Sequence, residues 1–106
     1  MRRGEVWWAE LPAPAGRRPV VLLSRNEAYA VRALVTVAPV TTRLRRIPTE
    51  VPLGPAEGLP KACVVNLDTL TTIPRRALTQ PIGPLLPDKL AAVERALMFA
   101  LGLVHR

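Results

Sequence analysis

Apolar residues in this chain fall into short runs, cut by proline, glycine and basic clusters. Glu5-Val6-Trp7-Trp8-Ala9-Glu10 predicts a first strand. Leu11 to Gly16 carries two prolines and a glycine and predicts a turn-rich loop. Pro19 to Ser24 predicts a second strand. It is dense in Val and Leu without polar alternation, which implies burial on both faces. Arg25 to Arg32 is a connector with room for one helical turn. Ala33 to Val40 predicts a third strand, ended by Pro39, which cannot donate to a ladder.

Thr41 and Thr42 follow, then the basic loop Arg43-Leu44-Arg45-Arg46-Ile47. Thr49 to Leu53 predicts a short strand limited by Pro52, and Gly54 to Pro60 another loop. Lys61 to Asn66 and Thr69 to Ile73 predict further strands, either separate or one bent strand through Leu67-Asp68. Thr79 to Ile82 predicts a last extended segment.

Pro87-Asp88 then opens a helix. Proline is tolerated in a first turn, and an acid there complements the helix dipole. Leu90, Val93, Leu97 and Leu101 recur at helical spacing and predict the core face, with Glu94 and Arg95 opposite. Past Ala96 the helix is apolar nearly all round, which suits a deep position or a second subunit. The expected architecture is a small, strongly curved antiparallel barrel plus a C-terminal helix, in a single domain over residues 1–106.

The composition is 49% hydrophobic and 22% charged, so the chain is a globule and not a disordered tail. Its formal charge is +7, and thirteen of its fifteen cations are arginine. Nine of those arginines lie in residues 1–53, against four acids. A basic half points to a polyanionic partner. Cys63 is single and lies in an apolar run, so it reads as a packed small hydrophobe; no disulfide framework is possible, and a cytoplasmic setting is expected. Glu5 and Glu10 interrupt the start, which argues against a signal peptide. The most apolar run, Ala96 to Val104, is too short to span a bilayer, and no membrane is expected.

One His, His105, and one Cys give no ligand set of workable spacing, so no metal site and no cofactor are expected. A nuclease built on two imidazoles is excluded, and Ser24 has no partner His for a triad. What remains is arginine, hydroxyl and carboxylate chemistry. If the second and third strands pair antiparallel, the start of one lies beside the end of the other. Arg18 and Thr41 then sit side by side at one end of a sheet. An arginine fork beside a hydroxyl suits a phosphodiester. RNA brings its own nucleophile, the 2′-OH. Alignment, charge stabilisation on the phosphorane and proton transfers suffice to cut it. Arginine is a poor general base, and the sequence leaves the base open. Of Trp7 and Trp8, which alternate across a strand, one is expected in the core and one against a partner or a base.

In order along the chain, Arg2-Arg3-Gly4-Glu5-Val6-Trp7-Trp8, Arg17-Arg18-Pro19-Val20-Val21-Leu22-Leu23-Ser24, Val37-Ala38-Pro39-Val40-Thr41-Thr42, Val64-Val65-Asn66-Leu67-Asp68 and Ile82-Gly83 resemble the motifs of the MazF/PemK toxin family. The resemblance implies an SH3-like barrel of the MazF/PemK/CcdB kind, working as a homodimer. It implies a sequence-selective, metal-independent endoribonuclease toxin that cuts single-stranded RNA through the 2′-OH. The products would be a 2′,3′-cyclic phosphate and a 5′-OH. A MazE-like antitoxin would neutralise it. The family's catalytic Arg and Thr fall on Arg18 and Thr41. Arg17, Arg25, Thr42, Arg43, Arg45 and Arg46 are expected to contact RNA.

Two departures stand out. The first loop, Leu11 to Arg17, is short and has no acid where many members carry a Gly-Ser-Glu type segment. Thr69 follows Asp68 where many members have Gln. Both bear on target sequence and rate. The alternatives are a gyrase-poisoning cousin, which would depend on its tail Leu101-Gly102-Leu103-Val104-His105-Arg106, and a plain nucleic-acid-binding barrel.

Overall fold

In a computed structural model, which describes residues 1–103, the chain forms one sheet with a helix against it. The reading of His105 lies outside the described residues. The strands are β1 (Glu5–Glu10), β2 (Arg17–Leu22), β3 (Leu34–Thr41), β4 (Glu50–Leu53), β5 (Cys63–Asn66), β6 (Thr71–Pro74) and β7 (Leu78–Pro84). A single turn, α1 (Ala28–Val31), joins β2 to β3, and α2 (Pro87–Ala100) closes the fold. The order across the sheet is β4-β5-β3-β2-β1-β7, all antiparallel, with β6 also paired to β3. The sheet curls like a barrel but does not close: β4 and β7 end its main path, and β6 has β3 as its one partner.

β5 and β6 lie along the same side of β3. Val40 faces Val65 while Val37 faces Thr71. Between these pairs, two residues on β3 thus oppose five on the other chain segment. The excess is looped out around Leu67 to Leu70, so the bent run is two strands. Boundaries also shift from the sequence reading. β2 begins at Arg17, because Arg17 pairs with Glu10 across the β1–β2 hairpin. β3 takes in Thr41, so the first hydroxyl belongs to the strand itself.

Side chains alternate across the sheet. Val6, Val21, Ala38, Val40 and Val65 face α2 and bury Val93 and Ala96 with them. Ala9, Val20, Leu22, Val35, Val37 and Ile73 form a second cluster on the other face. β2 is thus buried on both faces, as its unbroken Val and Leu run predicts. Full burial of such side chains contributes roughly 1.5–3 kcal/mol each.

The helix begins at Pro87 with Asp88 in its first turn. Gly102, at φ 71°, ends it. There the Gly102 N–H donates to the Phe99 carbonyl and the Leu103 N–H to the Met98 carbonyl, a Schellman arrangement. This turn carries Leu101 off the core face predicted for it, and it is 53% exposed. Glu94 is not simply solvated. It ion-pairs with Arg3, whose Nε also donates to the Leu23 carbonyl at 3.2 Å, tying the N-terminus to α2. Gly4 has φ 89°, and a Cβ there would meet Leu90 at 3.0 Å, so the first turn accepts only glycine without strain. Among the described residues no helix is long and apolar enough to cross a membrane.

Candidate active site

The β2–β3 ladder pairs Val20 with Pro39. Two residues further along, the same register sets Arg18 opposite Thr41. Cross-strand partners share a face, so both side chains point to the side away from α2. There they border a cavity of about 190 Å³. Pro39, Asn66 and Thr69 complete its walls, and Arg43 and Arg45 reach it from the loop after β3.

Arg18 is half-buried, and its Nε is buried with no hydrogen-bond partner. A buried donor without a protein acceptor is uncommon in native proteins, and here it leaves Arg18 Nε free to donate to a bound water or anion. Thr41 Oγ1 accepts the backbone N–H of Arg43 at 3.2 Å. That contact uses a lone pair and leaves the hydroxyl hydrogen free to donate. Three guanidinium groups border the cavity, and no carboxylate is among the described residues that line it. Such a wall attracts a phosphate and can hold it bidentately.

The basic loop is held from below. Glu50 Oε1 accepts the backbone N–H of Arg45 at 2.9 Å and of Arg46 at 3.1 Å. Glu50 is buried and pairs with Asn66 across β4–β5; its Oε2 has no partner. Asn66 Oδ1 accepts the Asp68 N–H at 2.8 Å, and the Thr49 hydroxyl donates to Asp68 at 2.6 Å. These bonds fix the β5–β6 turn that carries Thr69.

Thr41 also borders a second cavity, of about 170 Å³, on the α2 side of the same sheet end. Trp8, Pro19, Thr42, Leu59, Lys61 and Cys63 are among its walls. The Arg17 guanidinium stacks on the Trp8 ring at 4.1 Å and lies 3.7 Å from Glu10. Cys63 donates weakly to the Leu53 carbonyl at 3.6 Å. Burial, and then the Glu57 carboxylate, push its thiol above the usual range, so it stays neutral and packs as the sequence implies.

The sequence pattern of the family described as PemK-like, MazF-like toxin of type II toxin–antitoxin system matches residues 2–101. The chain belongs to this family. Probable endoribonuclease MazF5 of Mycobacterium tuberculosis is 40% identical over 99 residues, covering 92% of this chain and 90% of the relative. The solved structure of Mycobacterium tuberculosis toxin MazF-mt6 superposes with a TM-score of 0.87 at 36% identity, covering 95% of this chain and 99% of the other. An endoribonuclease in complex with its cognate antitoxin, from a mycobacterial species, superposes with a TM-score of 0.89 at 31% identity, covering 100% and 99%.

Of the residues expected to contact RNA, Arg43 and Arg45 join Arg18 and Thr41 at the first cavity. Arg17 and Thr42 point to the opposite side of the sheet. Arg46 does not line either cavity; its backbone, at φ 56°, turns the loop while its side chain is exposed. Arg25 stands apart from this cavity. It lies past the far end of β2, about 20 Å from Arg18 at the usual strand rise, beside Ser24, Thr36 and Leu97. Both tryptophans are half-buried: Trp7 packs against the second core cluster, its Nε1 donating to Glu5 at 2.9 Å, while Trp8 borders the second cavity. The sequence reading singled out Asn66 as part of a motif and Thr69 as bearing on target sequence, but it did not place either of them, or Glu50, at the Arg18–Thr41 site. A buried Asn closing the apolar strand Cys63–Asn66 is the signal that points to the first.

Proposed function

We propose that this chain cuts single-stranded RNA at selected sequences, without a metal, with Arg18 and Thr41 as the catalytic pair. Membership of the family makes it an endoribonuclease toxin of the MazF type. The observation that carries the chemistry is the unpartnered Arg18 Nε beside the free Thr41 hydroxyl, in a cavity walled by arginines.

In this reading the scissile phosphate sits in that cavity. The Arg18 fork binds its nonbridging oxygens and gains strength as charge builds on the phosphorane. The Thr41 hydroxyl donates to the same group. Arg43 and Arg45 hold the flanking phosphates and orient the strand, so that the 2′-OH attacks in line. As the 2′-O–P bond forms, the 2′-OH loses its proton to water; the P–O5′ bond breaks, and the departing 5′-oxygen takes a proton from water. The products are a 2′,3′-cyclic phosphate and a 5′-OH. Asn66 and Thr69 line the path of the neighbouring nucleotide.

The protein works as a homodimer, and an antitoxin bearing carboxylates competes with RNA for the arginines. Incubation with a long RNA in EDTA tests the chemistry. Discrete fragments with 5′-OH ends are expected. Activity that is lost in EDTA and restored by a divalent ion would overturn it. A poison of a protein target would leave the RNA whole, and a plain binding barrel would retard it uncut.

A further inference from the structure

We infer that Asn66 is a further catalytic residue: its side-chain amide donates to the nonbridging oxygen of the scissile phosphate on the β5 side, across the cavity from Arg18. This deepens the RNA-cleaving reading of the site and rests on it.

Strand register places Asn66. β3 pairs Val40 with Val65 and Thr41 with Val64. One residue back along β3, the same register sets Asn66 beside Pro39, and Pro39 meets Val20 on its other side. Two rows therefore cross the sheet end, with Asn66, Pro39 and Val20 in one and Val64, Thr41 and Arg18 in the next. All six side chains share a face. β2 and β5 flank β3, so the backbones that carry Arg18 and Asn66 lie about 10 Å apart at the usual strand spacing. Pro39 lies between them, and its ring carries no donor. A phosphate resting on that ring fills the gap with a hydrogen bond to each side. Both residues border the same cavity.

The amide is held with its nitrogen free. Asn66 is only 7% exposed. Its Oδ1 accepts the Asp68 N–H at 2.8 Å, which fixes the oxygen end of the amide and turns Nδ2 away from the β5–β6 turn. Nδ2 makes no hydrogen bond among the described residues. The register partner Glu50 uses Oε1 for the Arg45 and Arg46 N–H groups, and its Oε2 has no partner, so Glu50 does not hold the amide either. A largely buried donor is costly to leave without an acceptor. Among three guanidinium groups, the acceptor this cavity favours is an anion. As the phosphorane forms, its nonbridging oxygens gain charge, and an amide already fixed in place binds them more strongly without reorganising. Asn66 gives up no proton; the bonds made and broken are those of the cleavage itself. An Asn66 that only held the turn would need Oδ1 alone.

The test uses one cleavable RNA in three forms: with an ordinary phosphate at the cut, or with sulfur replacing one or the other nonbridging oxygen there. Asn66→Asp keeps an oxygen for the Asp68 N–H and loses the donor. Asn66→Leu removes both and adds no charge. Each should lose about 10²–10³ in kcat, the usual worth of one donor to a developing oxyanion. Affinity of Asn66→Leu for an uncleavable 2′-deoxy form should fall less than its kcat. Sulfur accepts hydrogen bonds weakly, so in the wild type it should slow cleavage at the oxygen that Asn66 holds. In Asn66→Leu that slowing should shrink, while the effect of sulfur at the other oxygen persists.

A wild-type kcat in Asn66→Asp beside a loss in Asn66→Leu would show that only the turn matters, and the inference fails. It fails too if both variants keep the wild-type kcat, or if both sulfur effects are unchanged in Asn66→Leu. Should Asn66→Asp not fold, as judged by circular dichroism, the sulfur comparison in Asn66→Leu decides; should Asn66→Leu not fold, the kcat of Asn66→Asp decides. An RNA left whole by the wild-type chain sinks the cleavage reading and this inference with it, whereas normal wild-type cleavage with unaffected variants sinks the inference alone.

Discussion

The Glu50 carboxylate accepts the backbone N–H of Arg45 at 2.9 Å, from a side chain that is itself buried at the start of β4. The same oxygen takes the Arg46 N–H at 3.1 Å. One acid thus fixes the loop that carries the cavity's cations. Its own charge stays outside the cavity wall. Glu50→Ala should free both donors and cost about 1.5–3 kcal/mol, the usual worth of a hydrogen bond to a charged group. It should raise KM for RNA more than it lowers kcat, because the loop binds and does not react. Glu50→Gln retains an acceptor and should lose less of both. Urea unfolding and steady-state cleavage read the two effects. A wild-type KM in Glu50→Ala would show that the loop holds itself.

Arg18→Lys should lose most cleavage although the charge is kept, since a point charge replaces a planar fork. A rate loss of about 10²–10³ is expected for one contact made in the transition state. Thr41→Val keeps the shape, removes the hydroxyl, and should fall in the same range while thermal unfolding changes little. Wild-type turnover by either variant would demote that residue to steering.

Salt dependence separates the arginines by position. Neutralising Arg43 and Arg45 together should flatten the log–log slope of RNA affinity against salt by about 0.7 per lost contact to a single strand. Arg25→Gln, placed beyond the far end of β2, should leave the slope unchanged. Equal effects at Arg25 and Arg43 would mean that RNA follows another path over the surface.

The end of α2 exposes Met98, Phe99, Leu101 and Leu103, each between 45% and 54% accessible. Monomers seldom leave such large side chains together in water, and a two-fold dimer is the commonest way to cover them. Light scattering at micromolar concentration should give about twice the 11.6 kDa of one chain. Phe99→Asp should shift the mass toward the monomer if this patch forms the contact. A wild-type mass near 11.6 kDa would exclude the dimer.

Period and punctuation decide much of this molecule before any contact is made. The unbroken Val and Leu run of β2 requires cover on both faces, and two clusters supply it. Pro87, Asp88 and Gly102 set both ends of α2 by local backbone chemistry. The antiparallel pairing of β2 with β3 is enough to set Arg18 beside Thr41, because register couples the start of one strand to the end of the other. The ordered motifs carry the family in the same way.

Tertiary structure decided what depends on distant segments meeting. Which side of the sheet each arginine faces turns on the parity of one register: Arg17 goes to Trp8, and Arg18 to the arginine-walled cavity. Asn66, Thr69 and Glu50 reach the site only because β5 and β4 pair in sequence beyond β3, and no local pattern encodes that adjacency. The break between β5 and β6 arises from three looped-out residues, a mismatch visible only once both segments lie along β3. Arg25 looked like its neighbours in composition, but β2 carries it to the opposite end. Local propensity acts over a few residues, whereas a site is assembled by pairings that span the chain.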